Sequence, residues 1–276
     1  MKTMGYWGGL MVLVVLQELP LLWMLIIAVR PDGDFLAFNG HFGAQAITGD
    51  HFRELLLLTP FLQWCTNTII VSSASALLAS TSGCLFAFAL RFARRPHYKQ
   101  LKNLVLVAYL LPSSFLVLPI LWLISSLSPS APLFLLPLVY QLFLFPICVW
   151  IASSYVDRIP SGIIAMARLE NLGMSAALRL VFRPFANQAL WAGFAVAFVF
   201  AMQEYVYAFF LTSTAGWSTL PVGIASLQAG DVYQWSLIAS AGVGCTILVL
   251  ILLLIGRRLL RGGLNEAIDL MARKSR

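Results

Sequence analysis

Charge is what this sequence has least of. Asp, Glu, Lys and Arg make up 11% of its 276 residues, against about 25% in a typical soluble domain. So few ionised groups cannot cover a water-facing surface for a chain of this length, which excludes an ordinary soluble enzyme. Disorder is excluded too, because it requires low hydrophobicity, and here 60% of the residues are hydrophobic with a mean hydropathy of +0.87. Cysteine is scarce, and Cys65, Cys84, Cys148 and Cys245 all fall in apolar runs. They lack the close paired spacing of a zinc site and lie outside the polar loops of a disulfide framework, so they read as small core residues and no metal is expected. The three histidines, His41, His51 and His97, are scattered over two loops. No Gly-rich phosphate loop ending in Lys-Ser/Thr is present. The chain therefore lacks a catalytic constellation and reads as no enzyme, with no bound cofactor of its own.

What remains is apolar sequence, and it is segmented. A membrane-crossing helix needs about 20 predominantly apolar residues, and six stretches qualify: 10–29, 62–90, 101–124, 133–153, 190–211 and 235–255. The first begins near Lys2 but is too long for a signal peptide and has no small-x-small exit before Arg30, so it reads as a retained span. Pro112, Pro119, Pro137 and Pro146 fall in the third and fourth spans, where proline shapes a membrane helix and leaves carbonyls for neighbours to satisfy. The basic residues alternate from loop to loop. Lys2, the loop after the second span (Arg91, Arg94, Arg95, Lys99, Lys102), the loop after the fourth (Arg158, Arg168, Arg179, Arg183) and the tail hold sixteen of the eighteen. The opposite loops hold only Arg30 and Arg53. By the positive-inside rule both termini are cytoplasmic, and an even number of spans agrees. The net charge of +7 is then a topology signal and not a nucleic-acid footprint. No internal repeat or separate soluble domain is evident, so residues 1–276 are expected to form one all-α integral membrane domain in the cell (inner or plasma) membrane.

One inner segment, 154–189, is more than a connector. Within it, IPSGIIAMARLENLGMSAALRLVFRP (159–184) offers Ser161 as a helix N-cap, a helical run to Leu172, and Gly173 as a C-terminal stop. Ile163, Met166, Ala167 and Leu169 recur at helical spacing with charge off that face. Ser175 opens a second run in which Leu178, Val181 and Phe182 share a face, and Pro184 ends it. Periodicity alone leaves two readings open. The first helix is either an interfacial raft on anionic lipid or a knob offered to the groove of a soluble partner.

The spacing from Pro160 to Pro184, with a turn and small residues between, resembles the "EAA" loop of binding-protein-dependent ABC importer permeases. Further motifs are similar to the carbohydrate-uptake class: Pro20-Leu-Leu-Trp23 followed by Arg30-Pro-Asp-Gly33, Thr59-Pro-Phe-Leu62 followed by Asn67-Thr68, Gln203-Glu204-Tyr205, Thr219-Leu-Pro-Val-Gly223 with Gln228, and the tail at 261–264. Together they cover about residues 20–267. The loop departs from the family pattern, since the family's glutamate aligns with Ala165 and its aspartate-glycine pair with Glu170-Asn171. The resemblance implies a type I importer-like membrane domain of six helices, a maltose-type permease with a cytoplasmic coupling helix. In that helix Ile163, Ile164, Met166, Ala167, Arg168, Leu169, Glu170, Asn171, Leu172 and Gly173 would meet an ATP-hydrolysing subunit, with Ile164, Met166 and Leu169 prominent in the docking. It further implies a second permease subunit, two ATP-binding subunits and an extracytoplasmic solute-binding protein as partners, with ATP held by the partners.

Acids at membrane depth cost about 2.5–3.5 kcal/mol each on insertion scales, and there are two, Glu18 and Glu204. Gln203, Glu204, Tyr205 and Tyr207, with Trp191 on the same span, supply the carboxylate, amide and aromatic groups a polar passage for a sugar needs. An interhelical hydrogen bond that fixes packing is the competing role for Glu204. Glu18, beside Gln17 and before Pro20, is expected to be structural. The rival function is a proton-coupled secondary transporter using Glu18 and Glu204.

Overall fold

The computed structural model describes residues 2–31, 47–92, 98–109, 113–127, 132–179, 183–212, 217–228, 234–252 and 254. Among these there is no strand, and the chain is helical nearly throughout. Asp32, Gly33, Asp34, His41, Arg94, Arg95, His97, Pro112, Val181, Phe182 and the tail motif at 261–264 lie outside the described residues.

The described residues form two compact units, Met1–Trp64 with Gly223–Arg276, and Cys65–Val222. The first contains α1 (Lys2–Ala28), α2 (Asp50–Leu58), the start of α3 (Phe61–Phe92) and a last helix at Trp235–Leu252. α1 exposes its apolar residues along nearly its whole length and becomes buried only at Ala28. There the Ser240 hydroxyl of the last helix donates to the Ala28 carbonyl at 3.4 Å. In α2, His51 and Leu55 turn inward, and His51 Nε2 lies 2.8 Å from the Arg30 carbonyl. Gly223 has no side chain for a physical reason, because a Cβ there would sit 2.0 Å from the Trp64 indole.

The second unit continues α3 and adds α4 (Tyr98–Tyr109), α5 (Val117–Leu127) after a 3-10 turn at Ser113–Leu116, the short α6 (Leu136–Val139), and α7 (Gln141–Val156). The inner helix α8 (Ser161–Leu169), a single turn α9 (Met174–Ala177), α10 (Arg183–Met202), α11 (Val206–Thr212) and α12 (Leu220–Ser226, which runs past the unit boundary) follow. α7 packs along both α10 and α4. Apolar burial does not drive helices together in lipid, where close backbone approach at small residues does. Gly83 supplies one such approach: a Cβ on it would lie 2.8 Å from Cys148 Cβ and 2.9 Å from the Val149 nitrogen. Gly193 faces Ser80 and Cys148 in the same way at longer range. The hydroxyls that crowd α3 stay in the helix by bonding back one turn, Ser75 to the Val71 carbonyl at 2.6 Å and Ser82 to that of Leu78 at 2.7 Å.

Among the described residues four helices are long and apolar enough to cross a membrane, at Gly9–Ala28, Phe61–Phe92, Phe185–Met202 and Trp235–Leu252. Gln141–Val156 with Ser161–Leu169 makes a fifth if the bent pair is one span. Among the described residues, then, four or five of the six expected spans are represented by helices of that length and composition. The third stretch is not one helix: α4 ends at Tyr109 and a 3-10 turn precedes α5. The fourth is shortened at its start to the pieces 132–135 and 136–139, where Pro132 and Pro137 each deny the helix a backbone donor. The fifth is interrupted at 203–205.

Candidate functional site

The inner segment begins where α7 stops. Asp157 and Arg158 turn the chain, Ile159 is buried, and Pro160 adopts φ −57°, ψ 135°, so that α8 leaves at 90° to α7. Pro160 is the residue at the cap and Ser161 the first helical residue; no side chain caps the start. This corrects the expected Ser161 cap. The extended geometry fixed by the proline ring sets the entry instead.

The far end differs from expectation as well, and informatively. α8 stops at Leu169 rather than Leu172, and Asn171 takes a left-handed φ of 51°. The Leu172 amide donates to the Ala167 carbonyl and the Asn171 amide to that of Arg168, both at 3.0 Å. This is a Schellman closure, in which a left-handed residue turns the last amides back onto orphan carbonyls. Glycine is the usual occupant and asparagine the next. Asn171 stands where the family pattern has its glycine, so the turn survives the loss of that residue. Gly173 lies two positions beyond and is not the stop.

α8 has two distinct faces. Ile164 is 4% exposed and Ala167 is also buried; both face inward, Ile164 within a core that includes Phe88, Val156, Ile159 and Ala189. Leu172 and Phe92 pack against the same core. On the opposite face Ile163, Met166 and Leu169 are 37, 64 and 82% exposed. Of the three residues expected to be prominent in docking, Met166 and Leu169 are outward and Ile164 is not; Ile163 joins them in its place. Arg168 points inward, its guanidinium donating to the carbonyls of Arg91 (3.1 Å) and Phe92 at the end of α3 and lying 5.5 Å over the Phe92 ring. Glu170 and Asn171 are exposed, as is Gly173. Of the expected second inner helix, α9 gives one α-helical turn and residues 178–179 continue it as π-helix, while 180–182 lie outside the described residues; Pro184 sits near the start of α10.

The polar group at 203–207 lies at the break between α10 and α11. Both Glu204 carboxylate oxygens accept backbone amides, one from Tyr207 at 3.1 Å and the other from Ala208 at 3.2 Å. The acid thereby caps the first amides of α11, where the helix dipole favours negative charge. Gln203 and Tyr205 are exposed, and the Tyr205 ring stacks on Phe209 with centroids 5.5 Å apart. Tyr207 is buried in the core and stacks on Phe143 at 6.5 Å. The four expected path residues therefore divide into an exposed pair, a half-buried cap and a buried core residue. Trp191 is exposed and meets Phe194 edge to face.

Sequence reasoning missed Tyr140 and Ser75 behind this break. The Tyr140 hydroxyl is buried beside the Glu204 carboxylate. Beside it, Gln141 Nε2 donates to the carbonyls of Ser75 and Pro137 at 3.2 and 2.6 Å. The lone polar Tyr-Gln pair in an otherwise apolar run was the available signal. At the other end of the unit, Asn67 Nδ2 donates to the Ser218 carbonyl (3.0 Å), and the Leu220 amide donates to Thr68 Oγ1 (2.6 Å). Two of the motifs that carry the resemblance, Asn67-Thr68 and the segment at 219–223, thus meet in space. Glu18 is exposed on α1, in the first unit, whereas Glu204 belongs to the second.

The structure matches a bacterial ABC transporter involved in the import of the acidic polysaccharide alginate, with a TM-score of 0.61 and 14% identity, over 93% of this chain and 98% of that one. No family model matches the sequence. The inner membrane ABC transporter permease protein YcjP of Escherichia coli is 24% identical over 270 residues, 96% of this chain and 95% of that protein. The trehalose transport system permease protein SugB of Mycobacterium tuberculosis is 25% identical over 266 residues, 95% and 96% of the two chains. The chain is similar, along almost its whole length, to permeases of sugar ABC importers. A third such relative, the maltose/maltodextrin transport system permease protein MalG of Escherichia coli, is 27% identical over 267 residues, 89% of this chain. The similarity therefore takes in the inner helix, the break at 203–205 and the 219–223 segment together, rather than one local motif.

Proposed function

We propose that the chain is the membrane-spanning permease subunit of an ATP-driven ABC importer that moves a sugar or related polar solute. The observation that carries this reading is the near-complete coverage of both partners in the comparisons with sugar permeases. The chain works as one permease domain with both termini in the cytoplasm, as the distribution of basic residues supports. Its partners are a second permease subunit, two ATP-binding subunits that hold the nucleotide, and an extracytoplasmic binding protein that delivers the solute.

In this mechanism α8 is the lever. Ile163, Met166 and Leu169 form a compact apolar face on a short helix, which is the shape a groove on a soluble subunit recognises. ATP-driven closure of the ATPase pair moves α8, and the membrane helices change between inward- and outward-open states. ATP and the loaded binding protein drive the cycle through their different affinities for those two states. Gln203, Glu204 and Tyr205 line the solute's path, with Tyr207 forming its wall from behind. The proton-coupled alternative is not favoured: the relatives are ABC permeases, and the Glu204 carboxylate is engaged by two backbone amides.

The test is to purify the complex gently from native membranes and to reconstitute it in vesicles. Co-purification of an ATP-binding subunit, with uptake that needs ATP and the binding protein, is expected. Uptake by the chain alone that collapses with the proton gradient overturns the reading.

A further inference from the structure

We propose that Arg168 is a positioning residue that straps the inner helix to the cytoplasmic end of the second membrane helix, so that force applied to α8 is delivered to α3. The inference rests on the permease reading above. It differs from the docking role the sequence resemblance implies, because the side chain faces away from the exposed stripe.

The last four carbonyls of any α-helix have no intrahelical donor, and they carry the negative end of the helix dipole. Arg91 and Phe92 stand in the last described turn of α3. The Arg168 guanidinium donates to both and also covers the Phe92 ring. A planar, permanently charged fork is suited to holding two adjacent acceptors at once, and lysine's point charge is less so. The contact spans more than seventy residues of sequence and joins the helix on which a motor would pull to the longest membrane helix in the unit.

Apolar packing at this junction resists compression better than it resists pulling. Ile164 and Ala167 sit against the inner core, and dispersion contacts weaken steeply over a gap of an ångström. The guanidinium bonds are directional and partly buried, so they hold α8 to α3 when α8 is drawn outward. Without them the inner helix can lift away while the membrane helices stay behind.

The experiment uses the full reconstituted complex with its ATPase subunits and binding protein, and compares wild type with Arg168→Met and Arg168→Lys. The readout is ATP hydrolysed per solute transported, with subunit stoichiometry measured on the same samples. Arg168→Met is expected to assemble normally and to raise that ratio at least fivefold. Arg168→Lys, which can still donate to a carbonyl, is expected to fall between it and wild type. An unchanged ratio in an assembled Arg168→Met complex overturns the strap. Loss of assembly in both variants also overturns it, because the residue would then serve docking or folding. Failure of the wild-type chain to associate with any ATPase subunit would instead sink the permease reading, so the two failures are distinguishable.

Discussion

At the scale of single residues, two side chains do work that their types do not announce. Asn171 holds the left-handed turn that ends α8. Asparagine tolerates that conformation through its short polar side chain, whereas other L-residues pay about 1–2 kcal/mol. Asn171→Gly is therefore expected to leave stability unchanged or slightly higher, and Asn171→Val to lower it by about 1–2 kcal/mol, read as the thermal midpoint of the detergent-solubilised complex. Equal midpoints for glycine and valine would show that the turn is not held by this residue. Glu204 illustrates how an acid is held in a half-buried site, because two helix amides replace part of its water shell. Removing a helix cap costs about 0.5–2 kcal/mol, so Glu204→Ala should loosen the start of α11 and slow uptake or alter the coupled ATPase rate. Glu204→Gln, which keeps one acceptor oxygen, should be milder. Unchanged uptake and ATPase in the alanine variant would reduce Glu204 to packing.

At the scale of elements, function depends on where helices stop. α7 and α8 form one bent unit because Pro160 cannot continue the preceding helix, and the 90° turn sets α8's outward face apart from its packed one. Leu169 is the most exposed residue of that face, so Leu169→Glu should leave the membrane fold intact and cut transport per ATP by about tenfold, a loss near 1.4 kcal/mol of coupling. Normal transport by that variant would remove α8 as the lever. Helix contacts are equally specific. A methyl group at Gly83 collides with the backbone of α7, while one at Gly173 meets nothing within 4 Å. Gly83→Ala should cost about 1–3 kcal/mol through overpacking and Gly173→Ala close to nothing. Similar thermal midpoints for the two would mean that α3 and α7 are not in close contact.

At the scale of the whole molecule, α1 stands apart in its exposure. It is apolar, almost entirely exposed, and carries Glu18 near its middle. Bare in lipid, that carboxyl costs about 2.5–3.5 kcal/mol on insertion scales, and a second permease subunit would remove the cost by covering it. Glu18→Leu should therefore raise the yield of the chain made alone and lower the fraction recovered in the two-subunit membrane complex, measured by co-purification. A complex that assembles equally well with leucine would leave Glu18 without a part in pairing.

Much of this was legible without coordinates. Lipid as the solvent for most of the chain follows from composition, since a chain with so little charge has no other way to remain dispersed. The inner amphipathic helix was visible as apolar residues at helical spacing, and Gln203-Glu204-Tyr205 as a polar interruption. The ends of these elements were not legible. Whether Ser161 or Pro160 sits at the cap, and whether Gly173 or Asn171 makes the turn, depends on backbone angles that several residue types can adopt. The same limit hid the division of α8 into faces: Ile163 and Ile164 are alike in chemistry, and only the neighbouring core decides which is turned inward. Sequence alone determined that lipid is the solvent and the rough place of several helices, because those follow from transfer free energies that sum along the chain. Tertiary structure alone decided that Glu204 caps a half-helix and that Arg168 reaches the end of α3, because hydrogen bonds depend on positions in space and not on order in the chain.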